Sequence, residues 1–311
     1  MGHRPMPAWQ SFPLRVFITL CGIVSTFRPR RAEIWVGPRL GRLFLALDLK
    51  RWRVAEENLK RCLPELDEAG RWELIKANYR HYGVLAFELM HLFSPLKGHY
   101  RRYMQRISAL EGYENWKRAS DKGKGVIFAS SHVGNWEVMA AAGGLAGIKL
   151  TIVTRRLKPD WLLGKVEASR LSVGVKAAYQ PRTLPAVLRA LRSGESVGFV
   201  IDQYAPPPMG MPAMFFNTPV DTLAAVGPLV ERTGAAVVPV TTWRDPEGIV
   251  HVRIEPELEL GEAVKDPAAV TQVLARKVES WVRACPEQWL WVHRRFKNVS
   301  PGTSPGTSRS S

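Results

Sequence analysis

The stretch Val126-Ile127-Phe128-Ala129-Ser130-Ser131-His132-Val133-Gly134-Asn135-Trp136-Glu137 reads as a buried strand, a small-residue turn and the start of a helix. The apolar run is short and continuous, as in a strand covered on both faces. Gly134-Asn135 breaks any helix running from His132 to Glu137. His132 thus stands at the exit of the strand, and Glu137, five positions on, falls in the first helical turn, where its charge suits the helix dipole. From there the carboxylate is expected to hold one imidazole nitrogen, leaving the other to act as a general base. A core histidine that merely ends a strand is the competing reading.

The same texture continues on the C-terminal side. Strands are expected at Val126–Ser130, Leu150–Thr154, Val197–Ile201, Ala236–Trp243 and Val250–Ile254. Helices are expected at Val138–Ala146, Asp160–Ser172, Leu184–Arg192, Thr222–Thr233 and Val270–Arg283. Such alternation predicts an α/β fold with a largely parallel central sheet flanked by helices. The first third is helical instead, with apolar spacings of three and four over Trp52–Arg61 and Glu68–Phe93. No linker separates the parts, so residues 32–298 read as a single domain whose N-terminal portion is helical to about residue 110. The tail, 299–311, repeats Pro-Gly-Thr-Ser and is expected to be disordered.

Lys and Arg number 44 against 28 Asp and Glu, a formal +16, which implies an anionic partner. Nucleic acid is disfavoured, since no zinc-finger spacing or RNA-binding segment is present. A membrane surface fits better. Val16–Phe27 is uncharged, preceded by Arg15 and followed by Arg28-Pro29-Arg30-Arg31. Its 12 residues fall short of the roughly 20 that span a bilayer. Residues 1–31 therefore read as an uncleaved membrane anchor with basic flanks on the cytoplasmic side, a buried first helix being the alternative. Arg28, Arg30, Arg31, Arg39, Arg42, Lys50, Arg51 and Arg53 extend the basic cluster toward anionic lipid. The three cysteines, Cys21, Cys62 and Cys285, are scattered and fit a reducing, cytosol-facing location.

Gly194-Glu195-Ser196-Val197-Gly198 matches a hydrolase nucleophile elbow, but the elbow needs a strand before the serine and a helix after it. Here the order is reversed, which removes Ser196. Only one histidine lies near Glu137, so no metal-ligand set is read there. What remains for a His/Glu pair is base-assisted attack by a substrate hydroxyl on an electrophile that arrives activated, such as a thioester.

Ser131-His132-Val133-Gly134-Asn135-Trp136-Glu137 resembles the SHxGNWE form of the HX4(D/E) motif of the bacterial late acyltransferases of lipid A biosynthesis, relatives of the lysophospholipid acyltransferases. Arg53–Leu59 before Leu63-Pro64-Glu65 is similar to that family's early helix, and Pro286–Lys297 to its closing segment. Arg170, Asp202-Gln203 and Phe215-Phe216 stand at family-like positions between them, so the resemblance runs from Leu14 to Lys297. Two departures are Asn217, where the family usually has glycine, and the proline-rich Ala205–Pro212. Asn tolerates a left-handed backbone.

The resemblance implies an O-acyltransferase. An acyl chain would pass from an acyl carrier protein or coenzyme A thioester to a hydroxyl of a lipid A precursor at the cytoplasmic face of the inner membrane. It implies no cofactor beyond the donor. His132 would be the base and Glu137 its orienting acid. Asn135 and the turn amides would face an oxyanion, unless Asn135 only caps the helix. Arg170 would meet a phosphate of the acceptor or support the site. Asp202 and Gln203, at a strand end where ligand-binding residues cluster in parallel sheets, are expected with Arg155 to bind substrate, and the cost of burying the Asp202 carboxylate calls for a partner in Arg170 or Arg155. Trp289 and Trp291 read as core. Competing readings are an acyltransferase for another glycolipid, such as a phosphatidylinositol mannoside, or for an aminolipid, a lipid hydrolase, and an inactive protein that binds membrane surfaces.

Overall fold

The computed structural model describes residues 8–181, 183–297 and 299. At its centre β2 (Val126–Ser130) is buried along its whole length, as its unbroken apolar run requires. Ile127 and Ala129 point into one core, Val126 and Phe128 into another. Six further strands complete the sheet: β1 (Ser108–Glu111), β3 (Leu150–Arg155), β4 (Val175–Gln180), β5 (Ser196–Val200), β8 (Ala236–Arg244) and β9 (Val250–Ile254). Their order is β1-β9-β8-β2-β5-β3-β4. Every neighbouring pair is parallel except the β8–β9 hairpin. Edge strands β1 and β4 lack the long apolar run of the centre and are not among the strands expected from sequence.

Five helices precede β1: α1 (Ala8–Phe27), α2 (Arg30–Leu47), α3 (Arg51–Cys62), α4 (Glu68–Met90) and α5 (His99–Ile107). The others are α6 (Tyr113–Ser120), α7 (Trp136–Leu145), α8 (Asp160–Ser172), α9 (Leu184–Arg192), α10 (Val226–Thr233) and α11 (Pro267–Ala284). Residues of α9, α10 and α11 cover one face of the sheet, joined by α3 and the closing segment. Those of α5, α7 and α8 cover the other.

Where a helix is expected from Thr222, the chain instead forms a hairpin, β6 (Gly210–Phe215) and β7 (Thr218–Leu223), and α10 starts only at Val226. The reason is period two: Thr218, Val220 and Thr222 are buried while the residues between them are not. The hairpin turn is Phe216-Asn217, both left-handed at φ 47° and 55°. Asn217 thus serves where glycine is usual.

Helices α2 and α4 touch backbone to backbone. A Cβ at Gly41 would lie 2.0 Å from the Tyr79 carbonyl oxygen, and one at Gly83 would lie 1.9 Å from that of Gly37. The expected anchor belongs to α1, which docks one side on the short 3-10 turn His91–Phe93. There Thr26 Oγ1 donates to Ser94 Oγ at 2.8 Å. Among the described residues no helix is long and apolar enough to cross a membrane, so a spanning anchor has no support. The outer side of α1 still presents Phe17, Leu20, Val24 and Phe27 to solvent, and α2 adds Trp35, Leu43 and Leu47. The first seven residues and, apart from Val299, the tail lie outside the described residues.

Candidate active site

In the parallel pairing of β2 with β5, Ser130 stands beside Val200. His132 and Asp202 each lie two residues beyond the strand end, so the same register sets them side by side. Asp202 Oδ1 accepts from His132 Nδ1 at 2.7 Å, and its Oδ2 accepts from the His132 backbone N–H at 2.8 Å. Trp289 Nε1 donates to the same Oδ2 at 2.7 Å. Burial alone would raise the Asp202 carboxyl, but these donors and the ring beside it outweigh that and hold it down at about 2. With Nδ1–H committed to Asp202, the Nε2 lone pair of His132 is directed into the site. Trp136 packs edge-on against the ring, centroids 4.8 Å apart. Gln203 Nε2 lies 3.4 Å from His132 Nε2.

The acid expected to orient His132 is engaged elsewhere. Glu137, in the first turn of α7, receives a two-pronged contact from Arg170: Nε to Oε1 and Nη2 to Oε2, both 2.8 Å. The carboxylate is carried toward α8, and Arg170 offers it the planar fork that suits a carboxylate best. The expected pairing of Asp202 with Arg170 or Arg155 is corrected in the same way: Asp202 meets His132 and Trp289, and Arg170 meets Glu137. Arg155, at the end of β3, lines the cavity mouth.

Asn135 is a cap. Its Oδ1 accepts from the N–H groups of Glu137 and Val138, and its Nδ2 donates to Glu88 Oε2 at 2.7 Å. The turn amides are also spent: Val133 N–H on Ser131 Oγ and Gly134 N–H on the Gln288 carbonyl. The expectation that Asn135 and these amides face an oxyanion is therefore set aside. Gly134 has φ 67°, and a Cβ there would lie 2.4 Å from the Thr242 carbonyl oxygen.

Beneath the turn lies a charged cluster that sequence reasoning missed. Glu88 is fully buried and binds Arg30, Arg244 and Asn135. His81 Nδ1 accepts from Arg244 Nη1, and its Nε2–H donates to the Gly134 carbonyl at 3.2 Å. Burial, with help from Arg244, pushes His81 down to about 3, so it stays neutral. Arg30 also binds Glu33, whose other oxygen meets His91 at 2.7 Å. Arg30 is thus an interior residue rather than part of the basic surface.

The closing segment is held from the N-terminal half. Asn58 Nδ2 donates to the carbonyls of Trp291 and His293, and Asn78 Nδ2 to those of Glu287 and Trp289. Trp289 and Trp291 belong to the core. Ser196, the rejected nucleophile, opens β5 at the opposite end of the sheet, accepting from Trp116 Nε1.

His132 opens onto a cavity of about 330 Å3 between α7 and the sheet. Its mouth carries His132, Arg155, Gln203 and Tyr204, with the Glu137–Arg170 pair in its wall. Its interior is apolar, with Phe128, Ile152, Val240 and Ile254 among the lining.

The family model described as bacterial lipid A biosynthesis acyltransferase matches residues 14–298. The chain belongs to that family. A lipid A biosynthesis lauroyltransferase of Escherichia coli (strain K12) is 25% identical over 273 residues, 86% of each chain. A palmitoleoyltransferase from the same strain is 28% identical over 274 residues, 87% of this chain and 86% of its own. A phosphatidylinositol mannoside acyltransferase of Mycolicibacterium smegmatis is 27% identical over 235 residues, 68% of each chain. The family's chemistry is acyl transfer to lipid A or another glycolipid, so this chain is an acyltransferase.

Proposed function

We propose that the protein moves a fatty acyl chain from a thioester, on acyl carrier protein, to a hydroxyl of a lipid A precursor, with His132 as general base and Asp202 as the acid that orients it. The observation carrying this reading is that His132 Nε2 stands at the mouth of an apolar cavity while Nδ1 is locked to a buried carboxylate. Nε2 removes the acceptor's hydroxyl proton as its oxygen attacks the thioester carbonyl. The resulting tetrahedral intermediate expels the thiolate, which takes the proton back from Nε2. The products are one ester and one free thiol. Asp202 stabilises the imidazolium formed on the way. Gln203, beside Nε2, is the side-chain amide placed to meet the developing oxyanion. Glu137 acts through Arg170, fixing that guanidinium in the cavity wall near the acceptor's charge.

The lipid A acceptor is favoured because those relatives align along more of the chain, 86–87%, than the mannoside acyltransferases do at 68–75%. A phosphatidylinositol mannoside acceptor is the second reading, supported by those same relatives. The net charge of +16 suits an acidic carrier protein and an anionic bilayer. The outward apolar residues of α1 and α2 would lie in the headgroup region at the cytoplasmic face of the inner membrane, without spanning it. Mass spectrometry of lipids after incubation with acyl carrier protein thioesters and either acceptor tests the reading. The expected result is a gain of one acyl chain on the tetra-acylated lipid A precursor with wild type, and none with His132→Ala. A gain on the mannoside alone would replace the acceptor, and free fatty acid without acylated lipid would replace the reaction class.

A further inference from the structure

Two glycines line the cavity from opposite walls. Gly143 belongs to the run Met139-Ala140-Ala141-Ala142-Gly143-Gly144 of α7, and Gly198 is the middle residue of β5. Neither has the left-handed φ that calls for glycine. Neither is forced by crowding: a Cβ on Gly143 would come no closer than 3.8 Å to any neighbour, and one on Gly198 no closer than 3.5 Å. Gly144 is different, since its Cβ would lie 2.1 Å from the Val173 carbonyl oxygen, so packing explains it. Glycine inside a helix or strand is destabilising relative to alanine. What Gly143 and Gly198 share is the cavity, and the side chain of Leu150. The Gly143 Cβ would face Leu150 Cδ2 at 3.8 Å, and the Gly198 Cβ would face Leu150 Cδ1 at 3.6 Å.

Their depth is similar. Gly198, two residues inside the end of β5, lies four residues before Asp202, a span of at most about 13 Å at the rise of an extended chain. Gly143 lies seven residues beyond Trp136 on α7, about 11 Å at the rise of a helix. Both therefore stand well inside the cavity from the end where His132 is held. Resting on the acyl-transfer reading above, we propose that Gly143, Gly198 and Leu150 gauge the length of the acyl chain. The missing side chains leave room for the distal methylenes, and Leu150 bounds that room. A methyl added to either glycine fills space at this level without touching His132 or the fold, and truncating Leu150 opens it.

The test uses the full chain as wild type, Gly143→Ala, Gly198→Ala and Leu150→Ala. Thermal shift with lauric, myristic, palmitic and stearic acids reads the cavity by itself. Competition among the matching acyl carrier protein thioesters, with a tetra-acylated lipid A precursor, reads transfer. The glycine variants are expected to melt no lower than wild type without ligand, and to raise the preference for the shorter of two neighbouring chains about tenfold. Leu150→Ala is expected to shift preference toward the longer chain. A length preference unchanged in all three variants overturns the gauge, even where transfer proceeds. A preference that moves in the binding measurement while no protein transfers any chain keeps the gauge and overturns the acyl-transfer reading.

Discussion

Glu88 Oε2 accepts a hydrogen bond from Asn135 Nδ2 at 2.7 Å, and that contact ties the cap of α7 to the interior beneath the N-terminal helices. Because Asn135 also caps the helix with its oxygen, one buried carboxylate helps decide where the His132 turn ends and α7 begins. Arg30 and Arg244 hold the Glu88 carboxyl down at about 2 against the opposing effect of burial. Replacing Glu88 by alanine leaves two interior guanidinium groups short of their counter-charge. A loss of about 3–5 kcal/mol is expected, read as a lower midpoint in urea unfolding.

Asp202→Asn and Glu137→Gln separate the two acid roles. Asn at 202 cannot hold a positively charged ring, so kcat is expected to fall about 10²- to 10⁴-fold with little change in KM for the thioester. Glu137→Gln leaves the Arg170 contact weakened while the His132–Asp202 pair stays intact. Its main effects are expected in thermal stability and in KM for the acceptor. Steady-state kinetics on both variants decides, and a larger kcat loss in Glu137→Gln would reverse the assignment.

Acid stability is expected to follow the interior histidines. Burial lowers His81 to about 3, His99 to about 4 and His293 to about 4, from an ordinary value of 6.5. Below pH 6.5 the unfolded chain takes up protons that the folded chain refuses, so stability falls as pH drops from about 6.5 toward 4. His251 works the other way: Asp245 raises it, and its contribution is lost as pH rises past its folded value. Calorimetry from pH 7 to pH 4 should show a falling melting temperature, and His81→Gln should flatten that slope. An identical slope in the variant would remove His81 from the explanation.

Gly83→Leu should disrupt the α2–α4 contact, because the new side chain must displace the backbone at Gly37 and Gly41. Overpacking of this kind costs about 1–3 kcal/mol or more. Chemical denaturation of the variant measures it. The alanine at Gly198 used to probe the cavity is the contrasting case, with no such loss expected.

Phe17, Leu20, Val24 and Phe27 lie exposed along α1. A double replacement, Phe17→Glu with Leu20→Glu, should leave the melting temperature near that of wild type and strongly reduce co-sedimentation with vesicles containing anionic phospholipid. Full retention on those vesicles would move the lipid-contacting surface elsewhere.

Much of the scaffold was legible in one dimension. The apolar run of β2, the break at Gly134-Asn135 and the alternation after it follow from local chemistry, and the strand–turn–helix around His132 is present. The hairpin β6–β7 was obscured because its mixed Thr, Pro and Val pattern leads straight into the helical period of α10. The α2–α4 contact had a sequence signal in Gly37 and Gly41, four apart, which acquires meaning only when Gly83 arrives opposite.

The sequence by itself determined the class of fold, the position of His132 at a strand exit and, through the motif around it, the family. Only the tertiary structure decided which acid meets the ring. Asp202 is 70 residues from His132, and the two adjoin because β2 and β5 pair in the register that sets Ser130 beside Val200. Register is a property of two strands packed in a sheet, fixed by the faces they bury, and is not carried by either segment alone. The same holds for Glu137 with Arg170 and for Glu88 with Arg30 and Arg244. Local sequence can place a charge on an element, but the partner that makes its burial tolerable comes from another element folded against it.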